Sequence, residues 1–504
     1  MPSIKLAYFL GGSAMSMSEP TGTVSGGFAL DSALVGALPL PPARLLLLGA
    51  HSEAMVLTLK AQSYEVVEAP FADPPVWAQS PSAARQGVYQ VDIAFAPTDS
   101  TGFDAAWVRG ISPQIHPLAL FDQLRIHVVQ DGVVLLEGLD PQEPPRVSRW
   151  LQYMVAIAGR CGFTVFEPGP AHEANDGVAK TFSRVFRKTT TPRWQLRHLR
   201  PGDYAEIAAL FQEVFGHPLT PELWAWKYAN GRGNAVLASR DGVLVAHYGG
   251  MYREILLCGK PEWAYGGSDV MVHPQERGVM TRQGPFLLTA ATTAELYGPV
   301  AFGFPTERAM LVAERMGLYT KAGQMAEIRW DPVAEGPRWG TRIRSLKRGN
   351  TSDQVLVDAL WGAMAMDLQD SVIGVRDWKF LEYRYFDHPH NQYEIMVVTS
   401  RWTGKALGVV VMRRLENACE LLDVIAPLAN LAPVLDQARR MTARWALPYM
   451  YCWMTVNHAH HFVACGGKEE ALNVFIPTSC WTDDPRVGML IDKWWLMSGD
   501  TDFR

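Results

Sequence analysis

The sequence predicts an α/β domain followed by two α+β domains: a doubly wound parallel sheet, then two mixed sheets. Three observations carry this. Up to about residue 190, short apolar runs alternate with helical spacings, the order that builds a parallel sheet. Beyond it come a hairpin, alternating strands and amphipathic helices. That second pattern is then echoed, in the same order, in the last third of the chain.

Tryptophan marks the first seam. Only Trp77, Trp107 and Trp150 precede residue 190, and fourteen of the seventeen follow it. Thr189-Thr190-Thr191-Pro192-Arg193 reads as a linker. Residues 331–340, with two prolines and two glycines, mark a second seam, so the segments are 1–190, 191–335 and 336–504.

In the first segment, residues 11–30 are rich in Gly and Ser and read as a flexible arm. Arg44-Leu45-Leu46-Leu47-Leu48-Gly49 is a buried parallel strand ending in a glycine. Residues 52–61 have helical spacing, 64–67 form a second strand and 103–108 a third. A helix through 118–124, a turn at Gln130-Asp131-Gly132 and a strand over 133–136 complete the alternation.

In the second segment, residues 194–200 alternate as a half-buried strand. Asp203 with Glu206 three residues on is a capping-box arrangement, and Ile207, Leu210, Phe211 and Val214 give the helix its apolar face. Strands 235–240 and 243–248 flank Asp241-Gly242, a hairpin turn. A strand over 268–272 runs into His273-Pro274-Gln275-Glu276-Arg277-Gly278, and a helix starts near Gly284-Pro285-Phe286. Residues 300–305 are a strand, and 308–316 a helix closed by Gly317.

The third segment repeats the second. Trp226-Lys227-Tyr228 is echoed by Tyr383-Arg384-Tyr385, Asp241-Gly242 by Thr403-Gly404, and Asp269-Val270-Met271 by Asp423-Val424-Ile425. Pro299 with Phe304-Pro305-Thr306 matches Pro448 with Trp453-Met454-Thr455, and Val312-Ala313 matches Val463-Ala464. The offsets, 157, 162, 154, 149 and 151, stay in one band. After Asp423-Val424-Ile425, however, Ala426-Pro427 leads directly into a helix over 429–445, with no Arg-Gly loop. The aromatic carboxyl end, Trp494-Trp495-Leu496 and Phe503, reads as packing.

Composition narrows the function. The 504 residues carry 46 basic and 51 acidic side chains, a formal charge of −5, with 48% hydrophobic and 19% charged residues. Mild acidity gives no electrostatic reason for nucleic acid or an anionic membrane, so neither is expected as a partner. The longest apolar stretch, 38–49, is broken by Pro39, Pro41, Pro42 and Arg44 and is too short to cross a bilayer. Residues 6–10 are too short for a secretory signal, and a cytoplasmic location is expected. Six scattered cysteines without a C-x-x-C pair fit neither a disulfide framework nor a zinc site. His458, His460 and His461 lack thiolate or carboxylate partners at ligand spacing, so no metal is expected.

Residues 40–190, with Phe103-Asp-Ala-Ala-Trp-Val, the His116-Pro-Leu helix and Asp131-Gly132-Val-Val-Leu-Leu, resemble a Rossmann-like class I S-adenosylmethionine methyltransferase. In that family the loop after the first strand is Gly-x-Gly-x-Gly, because only glycine admits the cofactor so closely. Here it reads Gly49-Ala50-His51-Ser52-Glu53, and Glu68, near the end of the second strand, is followed by Pro70. S-adenosylmethionine is therefore not an expected cofactor, and the first domain reads as a degenerate scaffold.

The second segment resembles a GNAT-fold, acyl-CoA-dependent N-acyltransferase over some 140 residues. Arg200-Pro-Gly-Asp203, the Asp241-Gly242 hairpin, Val272-x-Pro274-x-x-Arg277-Gly278, Gly303-Phe304-Pro305 and Met316-Gly317-Leu318-Tyr319 carry the resemblance. It implies acetyl-CoA or another acyl-CoA as co-substrate, a small-molecule amine as acceptor and direct attack without a covalent enzyme intermediate. It places the coenzyme along Met271 and Val272 and in the loop of Arg277, Gly278, Val279, Thr281, Arg282 and Gly284. Met280 and Arg282 stand where the family has loop glycines, and Ala313 where it has a tyrosine acid. Tyr319 is the candidate acid if the chain folds back, and Asp269 the candidate base. The third segment reads as a non-catalytic GNAT-like partner. Methyl transfer by the first segment, and a binding protein with decayed coenzyme sites, are the alternatives.

Overall fold

The computed structural model describes residues 35–71, 102–111, 115–139, 144–167, 181–277, 284–298, 300–333 and 340–503. The expected arm over 11–30 and the loop residues Gly278, Val279, Met280, Thr281 and Arg282 lie outside them. Three sheets make up the fold.

The first sheet has the order β2-β1-β3-β4-β6-β5, from β1 (Arg44–Leu48), β2 (Glu65–Ala69), β3 (Phe103–Ile111), β4 (Val128–Leu139), β5 (Phe163–Glu167) and β6 (Thr181–Lys188). Pairings β1–β2, β1–β3 and β3–β4 are parallel, and β6 runs antiparallel to both β4 and β5. The intervening helices are α1 (Glu53–Ala61), capped by Ser52, α2 (Pro117–His127), capped by the His116 ring, and α3 (Pro144–Arg160). The turn expected at residues 130–132 is instead part of β4. Asp131 takes φ +64° there, and the register with β3 slips between Phe103 and Ala105.

The second sheet contains β7 (Gln195–His198), β8 (Gly233–Arg240), β9 (Val243–Leu257), β10 (Lys260–Val272) and β11 (Ala301–Phe302). Its helices are α4 (Tyr204–Phe215), α5 (Pro221–Tyr228), α6 (Pro285–Tyr297) and α7 (Glu307–Arg315). The capping box expected at α4 does not form. Asp203 Oδ2 accepts from Arg197 Nη1 and the Arg200 N–H, and Glu206 pairs with Arg197, so the guanidinium has drawn both carboxylates away from the helix end.

Strands cross between the second and third segments. The long β12 (Tyr319–Trp330) leaves the second sheet and lies in the third, whose order is β13-β15-β16-β17-β18-β12-β19. The other members are β13 (Thr341–Ser345), β15 (Glu394–Ser400), β16 (Ala406–Arg414), β17 (Cys419–Ile425), β18 (Met450–Thr455) and β19 (Lys468–Ser479). In return β14 (Val372–Gly374) joins β9, and β20 (Trp494–Trp495) joins β14. The helices of this part are α8 (Thr351–Asp367), α9 (Trp378–Leu381), α10 (Leu431–Arg444) and α11 (Val456–Val463). Element order along the chain does not reveal such an exchange, because β12 has the same alternating pattern whichever sheet it joins.

The first domain is welded to α6. Arg160 makes a two-pronged ion pair with Glu295 at 2.5 and 2.7 Å, and Trp481 Nε1 donates to the same carboxylate at 2.8 Å. Asp122 pairs with Arg200 at 2.6 Å, and one apolar core runs from the first sheet through α3 into α6. Among the described residues no helix is long and apolar enough to cross a membrane.

Candidate active site

Strands β10 and β11 run parallel and pair only at Tyr265–Ala301 and Gly266–Phe302. Past those residues the edge of β10 has no partner on that side among the described residues, so its backbone groups from Ser268 to Val272 face a gap. The other edge of β10 is paired with β9 but bulges between Ser268 and Met271, and Asp269 sits in the bulge at φ +50°. Helix α6 begins at Gly284-Pro285 beyond the loop, its first N–H groups free of intrahelical partners.

Asp269 is held from two sides. Lys227 Nζ donates to Oδ1 at 2.8 Å and Tyr228 Oη to Oδ2 at 2.8 Å. Lys227 also reaches Asp502 at 2.8 Å. Burial opposes the charge on Asp269, but the Lys227 ammonium outweighs it and holds the carboxyl below the usual range. Burial likewise opposes the Lys227 charge, and its two carboxylates raise its pKa above the ordinary value. His247 Nδ1 meets the Asp269 carbonyl at 2.7 Å, so its burial-lowered ring supports the bulge from beneath.

Tyr319 lies against β9. It opens β12, and its hydroxyl hydrogen-bonds that of Tyr248 on β9. The Tyr248 hydroxyl lies 4.0 Å from where a Cβ would stand on Gly267, a residue of the parted strand. Burial pushes Tyr248 up to about 12 and Tyr319 well above its usual value, so both are protonated at neutral pH. Ala313, on α7, is fully buried.

Arg277 is exposed, and its Nε donates to the Val272 carbonyl at 3.0 Å, bending back over the end of β10. Met271 is buried and Val272 half-buried. Of the other expected coenzyme contacts, Gly284 caps α6, while Gly278, Val279, Thr281 and Arg282 are outside the described residues.

On the face of the sheet bearing Met251 and Arg253 lies a cavity of about 430 Å³, which reaches Gly266, Gly267 and Ser268 on β10 and Gly303 after β11. Its opposite wall comes from the third segment, with Phe380, Tyr383 and Arg384, and its end from Gly499 to Asp502. Sequence reading missed this wall. The pair Gly266-Gly267 was a signal of close approach on a strand, but nothing in local spacing brings residues 499–502 to it.

In the third sheet a tyrosine again meets an aspartate. Tyr385 Oη donates to Asp423 at 3.0 Å, as Tyr228 does to Asp269, and β17 and β18 pair in parallel only at Cys419–Met450 and Glu420–Tyr451. There the carboxyl-terminal segment runs along β18. Thr455 N–H donates to Leu496 O at 3.1 Å, Met454 bridges Met497, and Trp453 N–H donates to Ser498 Oγ at 2.9 Å.

Residues 195–320 match the acetyltransferase (GNAT) domain. The matched stretch runs from β7 to the start of β12 and includes Asp269, Arg277 and α6. The fold resembles, at 13% identity and a TM-score of 0.46, a probable N-acyltransferase from Enterococcus faecalis, over 60% of this chain and 75% of that one. It also resembles a GCN5-related N-acetyltransferase from Kribbella flavida (14% identity, TM-score 0.40, 56% of this chain and 71% of that one). A third similar structure is Saccharomyces cerevisiae N-myristoyltransferase with bound myristoyl-CoA (11%, TM-score 0.39, 57% and 78%). No curated protein matches the sequence.

Proposed function

We propose that the chain moves an acetyl or related acyl group from acyl-CoA to the amine of a small molecule by direct attack. The observation that carries this reading is the gap between β10 and β11, open beyond two paired residues, with a cavity on its far side at Gly266–Ser268. The pantetheine arm lies along the free edge of Met271 and Val272, and the pyrophosphate faces the loop from Arg277 to Gly284 and the start of α6. A β10 N–H polarises the thioester carbonyl as charge develops on its oxygen. The amine enters through the cavity.

In this reading Tyr319 is the acid that protonates the departing thiolate, with Tyr248 sharing its hydrogen bond; their protonated state at neutral pH supports the role. Asp269 takes a different task from the base expected on sequence grounds. Both its oxygens are engaged and its carboxyl stays ionised, so it is a weak proton acceptor and a positioning residue that fixes the bulge. The amine sheds its proton to solvent before attack.

The third segment is a duplicated, non-catalytic GNAT-like half whose own gap is occupied by residues 496–498, and one coenzyme binds per chain. The first domain is a methyltransferase-like scaffold that no longer takes its cofactor. Its three parallel pairings support the scaffold, and the closure of Gly49 by Phe71 and the Arg109 backbone supports the loss. The test is release of free thiol from acetyl-CoA on addition of a panel of primary amines. Amine-dependent release supports the reading, and its absence with every acyl-CoA and amine tried contradicts it.

A further inference from the structure

The acceptor cavity contains one largely buried cation without a hydrogen bond. Arg253, on β9, lines the cavity with its side chain 15% exposed, and its guanidinium donates to no group among the described residues. The nearest carboxylate oxygen, Asp500 Oδ1, is 3.6 Å from Nη2, too far for a hydrogen bond, and Oδ1 itself accepts from nothing. The guanidinium is nevertheless fixed in place. One face lies over the Phe380 ring at 3.4 Å, and it rests on Gly374, where a Cβ would stand 2.6 Å from Nε and Nη2. A rigid guanidinium with unused donors, sunk in an aromatic cavity, is an acceptor-seeking group.

Charge decides which acceptor it seeks. Arg253 and Arg376 face Asp423 and Asp500, two cations against two carboxylates, with Arg376 bonded to Asp423 at 2.8 Å and Asp500 at 2.5 Å. The cavity lining as a whole has four arginine or lysine side chains against five carboxylates. Such a lining has no positive surplus to offset the desolvation of an anion, whereas it accommodates an incoming ammonium. The group on Arg253 is therefore neutral. Its distance from the reacting end follows from register: Arg253 opposes Ala264, three residues along β10 from Gly267, or about 10 Å at the usual strand rise. The walls between are aromatic, with Phe302, Phe380 and Tyr383.

Resting on the acyl-transfer reading of the same site, we propose that the acceptor is an amine bearing, beyond an apolar or aromatic spacer, an uncharged carboxamide whose carbonyl oxygen docks on Arg253. An α-amino acid is too short to span from Gly267 to Arg253, and a free carboxylate at the far end is disfavoured by Asp500.

The test is calorimetric titration of the full chain, without acyl-CoA, with para-(aminomethyl)benzamide and para-(aminomethyl)benzoate, which differ only in that end group. The proposal predicts that the amide binds roughly tenfold or more tightly. Equal affinities, tighter binding of the benzoate, or no binding of either overturn it. Asp500→Asn leaves the cluster with one positive charge in excess and reverses the preference towards the benzoate; an unchanged preference in a folded variant also counts against it. Should that variant not fold, the wild-type comparison stands by itself. Binding of the amide without its acylation by acetyl-CoA would overturn the proposed reaction, and with it the role of acceptor, while leaving Arg253 as the site that takes the carboxamide.

Discussion

The hydroxyl of Tyr228 donates to Asp269 at 2.8 Å, crossing Gly249, where any side chain would collide with it. This contact ties α5 to the bulge of β10, so that the strand is fixed where it leaves its neighbour. In the third segment Tyr385 makes the same contact with Asp423 at 3.0 Å. Substituting Asp269→Asn leaves Lys227 buried with a single carboxylate and is expected to cost about 3 kcal/mol in urea unfolding. Because the folded pKa of Asp269 is depressed, its contribution is present above the ordinary carboxylate range and fades as pH falls through the folded value. The rate profile between neutral and mildly alkaline pH has no limb from Asp269, and a limb lost in Asp269→Asn would restore it as the base.

Tyr319→Phe removes the proposed acid while leaving its ring in place. We expect the turnover number to fall by about 100-fold with the KM for acyl-CoA unchanged, measured by steady-state thiol release. An unchanged turnover number assigns the Tyr248–Tyr319 pair to packing.

Arg277→Ala tests the coenzyme loop. Arg277 is exposed, so folding is unaffected, and loss of a charge-assisted phosphate contact is expected to weaken acyl-CoA binding by about 1.5–3 kcal/mol. The loss falls on KM rather than on turnover, because the contact exists before and during the chemical step. A change within about 0.5 kcal/mol leaves Arg277 as a cap on Val272 alone.

Arg160→Ala strands Glu295 on the buried face of α6 with Trp481 as its remaining partner. The expected cost is about 3 kcal/mol by thermal or urea unfolding. Since α6 starts at the coenzyme loop, the KM for acyl-CoA is expected to rise as well. A stability change without any change in KM would show that the first domain supports the fold only.

His388 makes stability sensitive to acid. Burial, with Arg384 nearby, pushes its pKa down to about 3, and its Nδ1 accepts the backbone N–H groups of His390 and Asn391. The unfolded chain therefore binds a proton that the folded chain refuses between about pH 6.5 and 3, and stability declines as pH falls through that window. His388→Asn keeps an acceptor for the N–H groups and should flatten the decline measured by urea unfolding. An unaltered pH slope would mean that His388 protonates freely in the folded state.

The fold's local features were legible where physics is local. The Asp241-Gly242 hairpin, the Pro285 start of α6 and the Gly317 stop of α7 all follow from backbone preferences at single residues. Asp269 and Asp423 stood out in the sequence as aspartates opening similar strand patterns, and each accepts a hydrogen bond from a tyrosine. What sequence order hid is non-local. The transfer of β12 to the third sheet, the arrival of residues 499–502 beside Gly266 and the pairing of Arg253 with Phe380 each join segments more than 100 residues apart. Asp203 shows the smaller version: a capping motif read from spacing lost its carboxylate to Arg197.

One gap is open between β10 and β11, whereas beyond the short pairing of β17 with β18 residues 496–498 run along β18. Calorimetric titration of the full chain with coenzyme A and with acetyl-CoA measures this most directly. One site per chain is expected for both ligands. Two equivalent sites would contradict the filled gap, and no binding of either would contradict the open one.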